Sequence, residues 1–250
     1  GFIWEGLVPM TDKEIDEKRR RVVANREVIK KGLTFEQLRK YIVEDGADVN
    51  AGNGAPLDNA VMEDDLKKVE FLLDYGASAN LRSRQEATVN KVKSFDILKL
   101  LISKGAEITP QVFKSLVEDE DAVKFCLDNG LDPNFNENMP MRIAIKNGKF
   151  NLVKMLEDYN VDSDNKRQMN TKHAAEYCHW DILEYFISKG GGYTKGFQEV
   201  LKWIGHTQKY NSSPDPVGKK LEVLDRLQGY IDSGKVECDE RPYKIGSDRN

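Results

Sequence analysis

The residues of this 250-residue chain best suited to metal or nucleophilic chemistry are three histidines and three cysteines, and their spacing supports neither. His173, His179 and His206 form no i, i+4 pair, and no cysteine stands at zinc-finger distance from them, whereas zinc sites draw on closely spaced Cys and His ligands. No metal is expected. Cys126, Cys178 and Cys238 are odd in number, which points to free thiols in a reducing compartment rather than to a disulfide framework. There is no G-x-S-x-G elbow, no P-loop and no G-x-G-x-x-G. Gly190-Gly191-Gly192 reads as a helix stop followed by a flexible turn, and the acidic run Glu118 to Asp121 as a solvated loop between two short helices. No catalytic or cofactor-binding residue is assigned, no cofactor is expected, and the chain reads as a non-enzyme.

Composition narrows the field further. A net charge of −4 and a pI of about 5.6 argue against a generic polyanion binder. No run approaches the 18 apolar residues that a spanning helix needs, and no signal peptide is visible, so a cytoplasmic protein that is a monomer is expected. A hydrophobic content of 39% suffices for a sizeable core.

Organisation comes from one recurring stretch. In Leu66 to Asn80, Val69, Leu72 and Leu73 stand seven, four and three residues before Gly76. The same register precedes Gly105 (Leu98, Leu101, Ile102), Gly130 (Val123, Cys126, Leu127), Asn160 (Val153, Leu156) and Gly190 (Leu183, Phe186, Ile187). A further apolar position, five before each stop, holds Phe71, Leu100, Phe125, Met155 and Tyr185. Apolar residues at i, i+3 and i+4 make one helical stripe, and a glycine past the last turn can adopt the left-handed conformation that ends a helix. With Gly46 included, the stops fall 25 to 30 residues apart, a period that marks stacked repeats. One such helix cannot bury its stripe alone; a row of them can.

The residues between the stops resemble the ankyrin repeat family. Gly46-Ala47-Asp48-Val49-Asn50 closes one helix, and Ala55-Pro56-Leu57-Asp58-Asn59-Ala60 follows where that family carries T-P-L-H-x-A. Met139-Pro140-Met141-Arg142-Ile143-Ala144 matches again, as does His173-Ala174-Ala175 with His179, Ile182 and Leu183. The units at 81 to 105 and 106 to 130 lack the signature and rest on their second helices alone. The resemblance implies an all-α ankyrin-repeat solenoid of about six to seven stacked helix-turn-helix units, with short fingers and a capping helix at each end. It divides the chain into a capping segment 1–32, repeats over 33–192, a divergent repeat over 193–234 with an inserted loop at 208–217, and a polar tail 235–250. Leu227, Tyr230 and Ile231 keep the register before Gly234, and a first helix is expected from Lys195 to Gly205.

Residues 11 to 31 read as one helix, opened by a Thr11/Glu14 capping box and closed at Gly32. Its arginines, Arg19, Arg20, Arg21 and Arg26, are interleaved with acids and read as a solvated face; the alternative is a nucleic-acid patch. Thr34 with Gln37 caps the next helix. The resemblance gives His179 a capping role and places a protein-binding surface on fingertips and first helices. On this chain those positions are Asn53, Asp58, Met62, Glu63, Arg82, Arg84, Phe135, Asn136, Asn138, Arg142, Lys146, Lys166, Gln168, Lys172, Glu176 and Tyr177. The function it implies is binding of a protein partner on a preformed concave face, as an adaptor or inhibitor of a host protein in a viral or parasite setting. An enzyme would instead need a pocket within 193–250.

Overall fold

The computed structural model describes residues 8–159, 169–174, 177, 179–189, 225–226, 228–230 and 232–234. Among these, every regular segment is helical, so the protein is all-α. No described helix is long and apolar enough to cross a membrane. The chain divides into two compact units, Gly1–Leu131 and Asp132–Asn250.

The first unit contains α1 (Asp12–Glu27), α2 (Phe35–Arg39), α3 (Ala51–Met62), α4 (Leu66–Asp74), α5 (Phe95–Ser103), α6 (Pro110–Leu116) and α7 (Glu120–Asp128). A π-helical turn, Lys40–Glu44, prolongs α2. Both expected capping boxes form, Thr11 with Glu14 and Thr34 with Gln37. α1 is shorter than the sequence suggests. Val28 turns into the core at 1% exposure, and the next carbonyl, of Ile29, accepts a hydrogen bond from the Asn59 amide instead of continuing the helix. Gly32 then closes the turn at φ 73°.

Each second helix buries the expected stripe. Val69 and Leu72 on α4, Leu98 and Leu101 on α5, and Val123 and Cys126 on α7 are at most 1% exposed, each apolar side chain stabilising the fold by roughly 1.5–3 kcal/mol. Ile102 alone among the named stripe residues of these three helices stays half-buried. The stops at Gly46, Gly76, Gly105 and Gly130 take φ from 72° to 100°. Behind three of them, the amides of Ala77, Ala106 and Leu131 donate to the carbonyls of Leu72, Leu101 and Cys126, five residues back. These bonds satisfy carbonyls that the ending helix leaves open. In this unit a first helix is missing ahead of α5, where two 3-10 turns, Ser83–Gln85 and Thr88–Lys91, take its place.

The second unit repeats the plan with α8 (Phe135–Lys146), α9 (Phe150–Asp158) and α10 (Trp180–Ser188). Val153, Leu156, Leu183, Phe186 and Ile187 are buried. Of the C-terminal register, Leu227 and Ile231 lie outside the described residues, as do 193–224, the loop 208–217 and the tail 235–250. Gly234 has φ 72°, Arg226 stands 3.5 Å from Glu184 of α10, and Tyr230 is hydrogen-bonded to the same carboxylate.

Residues five before each stop are half-buried rather than interior, and three of them, Phe71, Phe125 and Tyr185, link successive second helices. Phe71 meets Phe35 edge to face at 5.4 Å between ring centroids, Phe125 meets Phe95 at 5.5 Å, and Tyr185 meets Phe150 at 5.5 Å. Lys67, Lys99 and Lys154 lie over Phe35, Phe95 and Phe150 at 4.0 to 4.6 Å, within cation–π range.

Candidate functional site

α3 and α8 both begin in an unusual way. Gly52, Asn53 and Gly54 have φ of 61°, 59° and 91°, and Asn136, Glu137 and Asn138 have 47°, 54° and 67°. Both triplets start six residues after a stop glycine, and each leads into a proline two residues further on, Pro56 and Pro140. Three successive residues in the left-handed region are natural for Gly-Asn-Gly and costly for Asn-Glu-Asn. Space also matters at Gly54, where an added Cβ would come within 2.9 Å of Leu81.

Two asparagines four residues beyond a stop, Asn50 and Asn80, act as brackets between successive helical hairpins of the first unit. The Asn50 amide donates to the Gly76 carbonyl and its oxygen accepts from Ser78 N; Asn80 repeats the pair with the Gly105 carbonyl and Glu107 N. Asn25 of α1 accepts from Asp48 N at 2.7 Å. The recurrence of Asn50, Asn80 and Asn134 at one register position was the available sequence signal. No local rule explained it, because the partners lie some 25 to 28 residues away.

The sequence-predicted surface separates into exposed and interior residues. Asn53 and Arg82 are exposed and tied together, the Asn53 amide donating to the Arg82 carbonyl at 2.7 Å. Met62 is half-buried, and its carbonyl accepts from Lys93 Nζ. Exposed Glu63 bridges Gly32 N and Lys68 Nζ, at 2.8 and 2.7 Å. Burial alone would lower the Lys68 pKa, yet the carboxylates of Glu63 and Asp65 outweigh it and hold it above 10.5.

In the second unit Asn136, Arg142 and Lys146 are exposed, with Arg142 donating to the Asn136 carbonyl at 3.1 Å. Arg142 and Lys146 lie one helical turn apart on α8. Lys172 is half-buried and Tyr177 exposed. Lys166, Gln168 and Glu176 lie outside the described residues, as does the Arg84 side chain.

Three expected contact residues are corrected to interior positions. Phe135 is buried at 7% exposure, and Asn138 is 4% exposed. Asp58 is fully buried, its carboxylate held by Lys91 Nζ at 2.6 Å. The partner 33 residues away is what makes burial of that charge tolerable. His179 does not cap α10 with its side chain. Its ring packs on Gly148, and its Nε2 lies 3.1 Å from the Lys146 carbonyl. Asp119, from the acidic run, does cap, accepting from Ala122 N at the start of α7.

Chemistry-bearing groups are few. Burial pushes the Cys126 thiol up to about 11. Cys178 and Cys238 lie outside the described residues. No three His, Cys, Asp or Glu among the described residues are grouped to hold a metal ion. A groove of about 790 Å³ runs between α1 and the end of the π turn, with Val8, Met10 and Val43 beside Glu17, Arg21 and Asp45. No family model matches the chain, and no curated protein matches it.

Proposed function

We propose that the chain is an ankyrin-type array that binds a protein partner through its fingers and first helices, without catalysis. The observation that carries this reading is the equivalence of the two left-handed fingers at 52–54 and 136–138. Each stands at the same distance from a glycine stop and ahead of a P-L or P-M helix start. Short-range backbone geometry recurring at a fixed register fits one repeated unit better than unrelated hairpins.

Within that reading the second unit offers Asn136, Arg142, Lys146 and Tyr177, and the first offers Asn53 and Arg82. Arginine and tyrosine are favoured where binding energy concentrates, and side chains on packed helices lose little freedom on docking. Two cations one turn apart on α8 suit a partner segment that carries carboxylates. A nucleic-acid role for α1 is the weaker reading, because Asp16 lies 4.0 Å from Arg19 and acids fill the first turn of the helix.

The test is charge reversal. Arg142→Glu with Lys146→Glu should abolish capture of the partner from the native host while leaving the melting temperature unchanged. Lys154→Glu, on an exposed position of α9, should leave both unaffected. Binding that survives the first change and fails with the second would move the interface to the second helices.

A further inference from the structure

One carboxylate gathers an entire irregular segment. Asp58 sits on α3 with a side chain 1% exposed, and its Oδ1 accepts from Lys91 Nζ at 2.6 Å and from Thr88 Oγ1 at 3.4 Å. Lys91, only 13% exposed, donates also to the carbonyl of Ser83 at 3.3 Å. The first residue of one 3-10 turn and the first and last of the other are thus drawn to one point. The other Asp58 oxygen is buried without a partner. Burying a charge this deeply is costly unless it is paired and hydrogen-bonded, and buried ion pairs are often replaceable by apolar residues at no loss of stability.

We infer that the Asp58–Lys91 pair is a positioning device: it dictates the path of residues 83–91, whose own backbone hydrogen bonds, Glu86 N to the Ser83 carbonyl and Asn90 N to the Ala87 carbonyl, each close a single short turn. Asp58 is a positioning residue and not a partner contact. The opposite end of the segment is tied by the Asn53 amide to the Arg82 carbonyl, so the exposed residues Arg82, Gln85 and Glu86 are held from both sides. That this edge meets a partner rests on the function proposed above; the control of its path does not.

Hydrogen exchange of the full chain, read by mass spectrometry without any partner, separates the two. The double variant Asp58→Leu/Lys91→Met contains no unpaired charge and serves as arbiter. Amides of 83–92 should exchange at least about tenfold faster in it, while those of α4 and α5 keep their protection, since local opening need not follow global stability. Lys91→Arg, which preserves charge and reach, should retain most of the protection of the segment. Unchanged exchange at 83–92 in the double variant would overturn the inference, because apolar contact would then serve equally. Loss of protection across α4 and α5 as well would also overturn it, by showing that the pair supports the whole unit.

Discussion

In the first unit, the side chains of Asn50 and Asn80 join successive helical hairpins. Asn80 brackets the turn at Gly105 with two bonds of 2.8 and 3.0 Å. Asn80→Ala should therefore cost about 1–3 kcal/mol, at roughly 0.5–1.5 kcal/mol per bond, seen as a lower urea midpoint; no change would mean that water replaces both bonds without loss. Two titrating groups give signs that can be checked. The folded state holds the Lys68 proton more tightly than a free lysine does, its pKa standing above the ordinary 10.5. Its contribution is therefore complete below pH 10.5 and falls as pH rises through the higher folded value. Lys68→Met should flatten stability against pH in that alkaline range. Cys126 has its proton held from 9.0 up to about 11, so its contribution too is complete below pH 9.0 and declines above it. Alkylation of Cys126 at pH 8, followed by peptide mass spectrometry, should be slow in the native protein and fast in denaturant.

The second helices carry the sharpest packing prediction. Leu101 and Leu156 are both fully buried, so Leu101→Ala and Leu156→Ala should each cost about 2–5 kcal/mol. Lys99 is paired at 2.9 Å with an exposed Asp96, and Lys99→Ala should cost no more than about 1 kcal/mol. Similar unfolding midpoints for all three would contradict the register. These helices were the most legible part of the sequence, because their stripe, their stop and their caps are local: Val69, Leu72 and Gly76 need only one another. The first helices were harder to read. Asp58 looks like a surface residue until Lys91 is placed beside it, and Phe135 looks like a fingertip contact although its side chain is buried. The early end of α1 was hidden for the same reason, since it depends on Asn59 reaching back 30 residues to Ile29.

Taken as a chain, the protein extends one plan through two compact units. The contacts of Arg226 and Tyr230 with Glu184 attach the C-terminal segment to α10. Truncation after Thr207 removes both and should lower the melting temperature or the solubility, whereas removal of 239–250 should be silent; a 1–207 protein that melts as the full chain does would make the segment an appendage. One property of the stops has a bearing on ancestry. At Gly46, Gly76, Gly105, Gly130 and Gly234 nothing lies within 4 Å of where a Cβ would be. Glycine is held there by its backbone angle and not by crowding, which leaves asparagine as the next most tolerable replacement, and the sequence has asparagine in register at 160. Drift can therefore rewrite the fingers and even the stop while the apolar positions seven and four residues before it persist. Distant kin of this chain are better sought by that spacing than by residue identity.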